Sequence, residues 1–119
     1  MRRAFYASVL MAALPAVAAA QDIGGLYNVN GTNFDGSPYK GKAMIRITSN
    51  TTCEITWKTG STSSSGFCMR NDDAFAAGYV MGSDIGLIIY KAAPDGTLRG
   101  LWTIAGRNGA GTEILTPAK

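Results

Sequence analysis

The chain contains no histidine. That absence removes the Ser-His-Asp and Cys-His arrangements of nucleophilic catalysis and the common histidine-containing zinc sets. Cysteine is scarce: only Cys53 and Cys68 are present. Two thiols without histidine make a poor metal site. Charge is sparse as well, with Asp, Glu, Lys and Arg making up 16% of the residues. Beyond Arg3 the basic side chains fall singly, so no stripe exists that would neutralise several phosphates together. Nucleic acid is therefore not an expected partner. No EF-hand loop, phosphate-binding glycine loop or zinc pattern occurs. Asp72-Asp73 resembles a carboxylate pair, but adjacent strand residues point to opposite faces and do not converge on one proton or metal. Together they are expected to cap a turn after Asn71. The expectation is a non-enzymatic protein with no catalytic residues, no metal and no cofactor.

The one long apolar run lies at the start. Met1-Arg2-Arg3 is a short positive segment, Ala4 to Val17 carries no charge, and Ala18-Ala19-Ala20 offers small residues ahead of Gln21-Asp22. This is the pattern of an export signal (1–20), and the run is short for a membrane span, which needs about 20 apolar residues. The expected working chain is a single β domain, 21–119, periplasmic or extracellular, with no transmembrane segment. Losing Arg2 and Arg3 reduces 11 basic side chains to 9 against 8 acidic ones.

No segment of that domain has helical apolar spacing. Turn dipeptides recur instead, at Asn30-Gly31, Asp35-Gly36, Asp95-Gly96 and Asn108-Gly109. Eight strands are predicted: Gly25–Asn30, Gly41–Thr48, Thr51–Lys58, Ser63–Arg70, Asp73–Met81, Ile85–Lys91, Leu98–Ala105 and Gly111–Thr116. Several alternate cleanly. Cys53, Ile55 and Trp57 oppose Glu54, Thr56 and Lys58; Ala43, Ile45 and Ile47 share a face; so do Phe75, Ala77, Tyr79 and Met81, and Leu98, Gly100, Trp102 and Ile104. Short connections favour consecutive antiparallel hairpins. Closing them removes the exposed edges, so the predicted fold is all-β, an eight-stranded antiparallel meander barrel, with a β-sandwich as the alternative. Such a barrel is either filled by side chains or holds one small ligand.

The cysteines fix one register. Residues paired in an antiparallel hairpin have a constant index sum, and 53 and 68 sum to 121, which centres a turn between Gly60 and Ser61. Cys53 then faces Cys68, Trp57 faces Ser64 and Ile55 faces Gly66, so large residues meet small ones. A disulfide clamping this hairpin is the favoured reading; a redox or metal role is the alternative.

Trp57 and Trp102 sit on apolar strand faces. They are either core aromatics or, with Tyr79, the lining of a barrel mouth where a small ligand stacks. The polar group Asn28, Asn30, Thr32, Asn33, Asp35 and Ser37 either binds a ligand or makes turn hydrogen bonds. If Cys68 points inward, Phe67 and Met69 point outward and form a candidate interface for a partner or for self-association.

Four segments, Gly31–Gly41, Gly66–Asn71, Pro94–Trp102 and Gly111–Pro117, resemble a group of small exported alphaproteobacterial proteins, some of which carry a fibronectin-binding label. The resemblance covers nearly all of the chain after residue 20. It implies an exported interaction protein. Gly25-Leu26-Tyr27-Asn28, with Gly31-Thr32 and Tyr39-Lys40-Gly41 behind it, is also similar to the opening of avidin-like barrels, without their later tryptophan-rich pocket. The sequence thus yields two expectations: an exported binding protein acting through its outer faces or loops, fibronectin-binding-like, and alternatively a small-ligand carrier.

Overall fold

The computed structural model describes residues 23–118. The export signal proposed for 1–20 lies outside them. Eight antiparallel strands run in chain order around a closed barrel: β1 Gly25–Thr32, β2 Pro38–Ile47, β3 Thr52–Thr59, β4 Thr62–Asn71, β5 Ala74–Met81, β6 Asp84–Ala92, β7 Leu98–Ile104 and β8 Gly111–Pro117. Closure comes from β1 pairing with β8 along Tyr27↔Pro117 to Thr32↔Thr112. The meander barrel is the observed architecture and the sandwich is excluded, because no sheet edge is left open.

Strict alternation drives the packing. In β3 Cys53, Ile55 and Trp57 are buried while Glu54, Thr56 and Lys58 are exposed. Cys53 pairs with Cys68, Trp57 with Ser64 and Ile55 with Gly66, and the disulfide is formed across the β3–β4 hairpin. Val29, Ile45, Ile55, Tyr90, Leu98 and Leu115 are almost wholly buried and fill one half of the interior.

Strand ends differ from the expected ones by up to three residues, and two differences have consequences. Strand β2 starts at Pro38, not Gly41, which brings Tyr39 into the sheet. Asn30-Gly31 is not a turn: Gly31 lies within β1 opposite Tyr39, and the chain reverses later, at Asp35-Gly36. Asn33, Asp35 and Ser37 hydrogen-bond within that turn, the Asp35 carboxylate accepting from the Ser37 amide (2.9 Å) and hydroxyl (2.6 Å). The β6–β7 turn repeats the motif with Asp95 and Thr97 at 3.0 and 2.6 Å. Asp72 and Asp73 form the two-residue β4–β5 turn, with Asp72 in the left-handed region at φ 56°. Ile47, expected to share the inner face with Ala43 and Ile45, is 41% exposed because it stands at the barrel rim.

Candidate functional site

In an up-and-down barrel the connections alternate between ends. The β1–β2, β3–β4, β5–β6 and β7–β8 turns therefore share one end, and there the interior is hollow. A cavity of about 400 Å³ opens between these turns, lined by Tyr39, Trp57, Tyr79, Met81, Ile88, Trp102 and Glu113, with Asn33 and residues Thr59–Thr62 and Ser64 at its rim and wall. The barrel is thus filled at one end and open at the other.

All three residues expected to form a pocket, Trp57, Tyr79 and Trp102, line this cavity. Trp57 and Tyr79 meet edge to face with centroids 5.3 Å apart. Trp102 is half-buried and packs against Phe34 of the β1–β2 turn at 4.9 Å and against Tyr39 at 6.3 Å. Of the polar group flanking the first turn, Asn33 alone lines the cavity; Asn28 instead accepts a hydrogen bond from Lys42 on the outside.

The residue the sequence reading missed is Glu113. It follows the inward alternation of β8, between Gly111 and Leu115, and is only 4% exposed. Three neutral donors from three other strands converge on its carboxylate. Tyr39 donates to Oε1 at 2.7 Å, and Trp57 Nε1 donates to Oε2 at 2.9 Å. The Tyr90 hydroxyl also donates to Oε2, while accepting from Trp57 Nε1 at 3.1 Å. Among the described residues no lysine or arginine forms a salt bridge with Glu113; the ion pairs there are Arg46–Glu54, Arg99–Asp95 and Arg107–Asp84, all at the surface.

Glycines make this convergence possible. Glu113 lies between Gly31 on β1 and Gly100 on β7. A methyl on Gly31 would stand 2.3 Å from Tyr39 Cζ, and one on Gly100 would stand 2.8 Å from the Tyr90 ring. Tyr79 over Gly86 and Trp102 over Gly111 repeat the arrangement, each aromatic directly opposite its glycine on the next strand. The signal was present in the sequence: every second residue of β8 had to face inward, and one of those was a carboxylate.

The buried environment acts on the phenols. Burial, reinforced by the Glu113 charge, holds Tyr39 and Tyr90 far above the usual tyrosine range. Burial and the same carboxylate push Tyr79 up to about 12. The Tyr79 hydroxyl also donates to the Thr103 carbonyl at 3.0 Å, which fixes its ring at the cavity wall.

Outside, Phe67 and Met69 point to solvent, 64% and 61% exposed. They belong to a larger apolar face. Met69, Ala76, Ile89 and Leu101 stand side by side across β4–β7, next to the row Phe67, Gly78 and Leu87, and Val80 pairs with Ile85 beyond. Lys42, Arg46, Glu54 and Lys58 make the outer face of β2 and β3 more polar, although Met44 of β2 and its partner Leu26 of β1 are also exposed there.

Neither a protein-family model nor a curated protein matches this chain. Solved structures do share its fold. A redesigned β-barrel superposes with a TM-score of 0.69 at 16% identity, covering 87% of this chain and 96% of that one. A de novo designed fluorescence-activating β-barrel gives 0.66 at 14% identity, over 84% and 97%. A redesigned β-barrel bound to DFHBI gives 0.68 at 18% identity, again over 84% and 97%. At these identities the likeness establishes the closed barrel and nothing further.

Proposed function

We propose that the chain is a small-ligand-binding barrel whose site is the cavity between the β1–β2, β3–β4, β5–β6 and β7–β8 turns. The observation that carries this reading is the cavity itself. At about 400 Å³ it lies within the range of small-molecule sites, and it combines aromatic walls with a few convergent polar groups. Barrels of the same shape that hold a small molecule support it. The reading includes export with cleavage after Ala20, in keeping with a closed disulfide; an exported chain whose intact mass begins at Gln21 supports that part. Binding is tested by quenching of tryptophan fluorescence against a library of small aromatic compounds. Saturable one-to-one quenching is expected, and it should disappear in Ser64→Phe, which places a ring in the cavity opposite Trp57. Saturable binding that survives Ser64→Phe unchanged puts the site elsewhere.

A second reading rests on the outer face of β4–β7. Phe67, Met69, Val80, Ile85, Leu87, Ile89 and Leu101 are each 54–64% exposed. Together they present roughly 800 Å², the half-interface of a standard complex and more than the largest apolar patch of a typical monomer. We assign this face to a second copy of the chain. Sedimentation should show a dimer that Phe67→Ser with Met69→Ser dissociates without unfolding the barrel. A monomer that captures fibronectin through the same face would instead favour the interaction role implied by the sequence resemblance.

A further inference from the structure

We propose that the ligand of the barrel cavity is an organic ammonium, with its charged head at Glu113 and its apolar body against Trp57 and Trp102. This inference rests on the small-ligand reading and narrows it to one chemical class. Glu113 is a carboxylate 4% exposed, yet it forms part of the cavity wall. A buried carboxylate calls for a counter-charge, because taking it out of water is unfavourable unless it is paired. The barrel supplies none: no lysine or arginine lines the cavity, and Glu113 takes part in no salt bridge among the described residues. What the barrel does supply is three neutral donors, Tyr39, Trp57 and Tyr90. They occupy three of the roughly four lone-pair positions of a carboxylate, and the one left over is on Oε1.

The rest of the wall fits the same class. Tyr39, Trp57, Tyr79 and Trp102 surround the space next to the carboxylate. Aromatic rings present negative faces, and a cation held within about 6 Å of a ring centroid is attracted by them, most strongly by tryptophan. An anion would meet the Glu113 carboxylate, which has no cationic partner among the described residues, and the same negative faces. A neutral ligand would leave the buried charge uncompensated. An ammonium satisfies the charge and the rings together, and one that keeps an N–H donates to the remaining lone pair as well.

The test compares two probes of the same shape on the disulfide-bonded protein: benzyltrimethylammonium and its neutral carbon isostere neopentylbenzene, titrated by calorimetry with tryptophan fluorescence as a second readout. The ammonium is expected to bind at least tenfold more tightly, and phenylacetate should not bind. The preference should be lost in Glu113→Gln. That variant keeps the side chain's shape: its amide oxygen accepts from Trp57 and Tyr90, and its NH₂ donates to the Tyr39 hydroxyl. Equal binding of the two probes overturns the ammonium assignment while leaving the cavity reading standing. Failure of every probe, ammonium and neutral alike, in a folded protein overturns both. A preference that persists in Glu113→Gln removes Glu113 from the recognition of charge and overturns the proposal as stated.

Discussion

Gly31→Ala isolates the steric logic of the site. Gly31 does not use a left-handed backbone, so alanine meets no conformational penalty there. Its methyl would stand 2.3 Å from Tyr39 Cζ and 2.5 Å from the hydroxyl oxygen, whereas non-bonded carbons settle at about 3.5–4.0 Å. Tyr39 must therefore retreat by about 1 Å or more, and its 2.7 Å hydrogen bond to Glu113 breaks. Overpacking contributes about 1–3 kcal/mol, and losing a hydrogen bond to a carboxylate about 1.5–3 kcal/mol. The substitution should destabilise the barrel by about 3–5 kcal/mol in all. The control is the same change in a Tyr39→Ala background. With the ring gone, the methyl has room, and Gly→Ala should stabilise by about 0.4–1 kcal/mol through the unfolded chain. Equilibrium urea unfolding of the four proteins, followed by tryptophan fluorescence, yields the coupling energy, expected at about 3.5–6 kcal/mol as the difference of the two effects. If Gly31→Ala is as destabilising without Tyr39 as with it, the ring-on-glycine explanation is wrong.

Replacing both cysteines with alanine should lower stability by about 3 kcal/mol, the chain-entropy value for a loop of about 15 residues, and thiol counting on the folded protein should find neither Cys53 nor Cys68 free. Trp57→Ala should cost about 3–5 kcal/mol as a buried large-to-small change, and Trp102→Ala less, since Trp102 is half-buried; wild-type urea stability in both variants would mean that neither ring supports the fold. Burial raises the folded-state pKa of Tyr39, Tyr79 and Tyr90 above the unfolded value, so their neutral forms stabilise the barrel fully below about pH 10. That contribution should erode above pH 10 and be gone for Tyr79 by about pH 12, with tyrosinate absorbance rising alongside loss of circular dichroism; phenols that ionise near pH 10 in a protein that stays folded would contradict the burial.

Much of the barrel was legible in the sequence because strand alternation and turn chemistry are local. The inward set Cys53, Ile55, Trp57 and the outward positions of Phe67 and Met69 follow from period two alone, and the disulfide register follows from an index sum. The Asn30-Gly31 pair shows where local reading fails. The dipeptide suits a turn, but here the glycine makes room for a ring on the neighbouring strand. Glu113 shows the same limit more sharply. A charged residue in a short strand is ordinarily solvated, and its meaning depended on Tyr39, Trp57 and Tyr90, up to 74 positions away in the chain. The sequence by itself determined the strands, their faces and the hairpin clamp, since each depends on residues a few positions apart. Only the closed tertiary structure decided that one half of the interior is filled and the other hollow, and that four strands bring their aromatic donors and a carboxylate to one point. Those outcomes depend on the β1–β8 closure, which sets the distances across the barrel and which no local pattern contains.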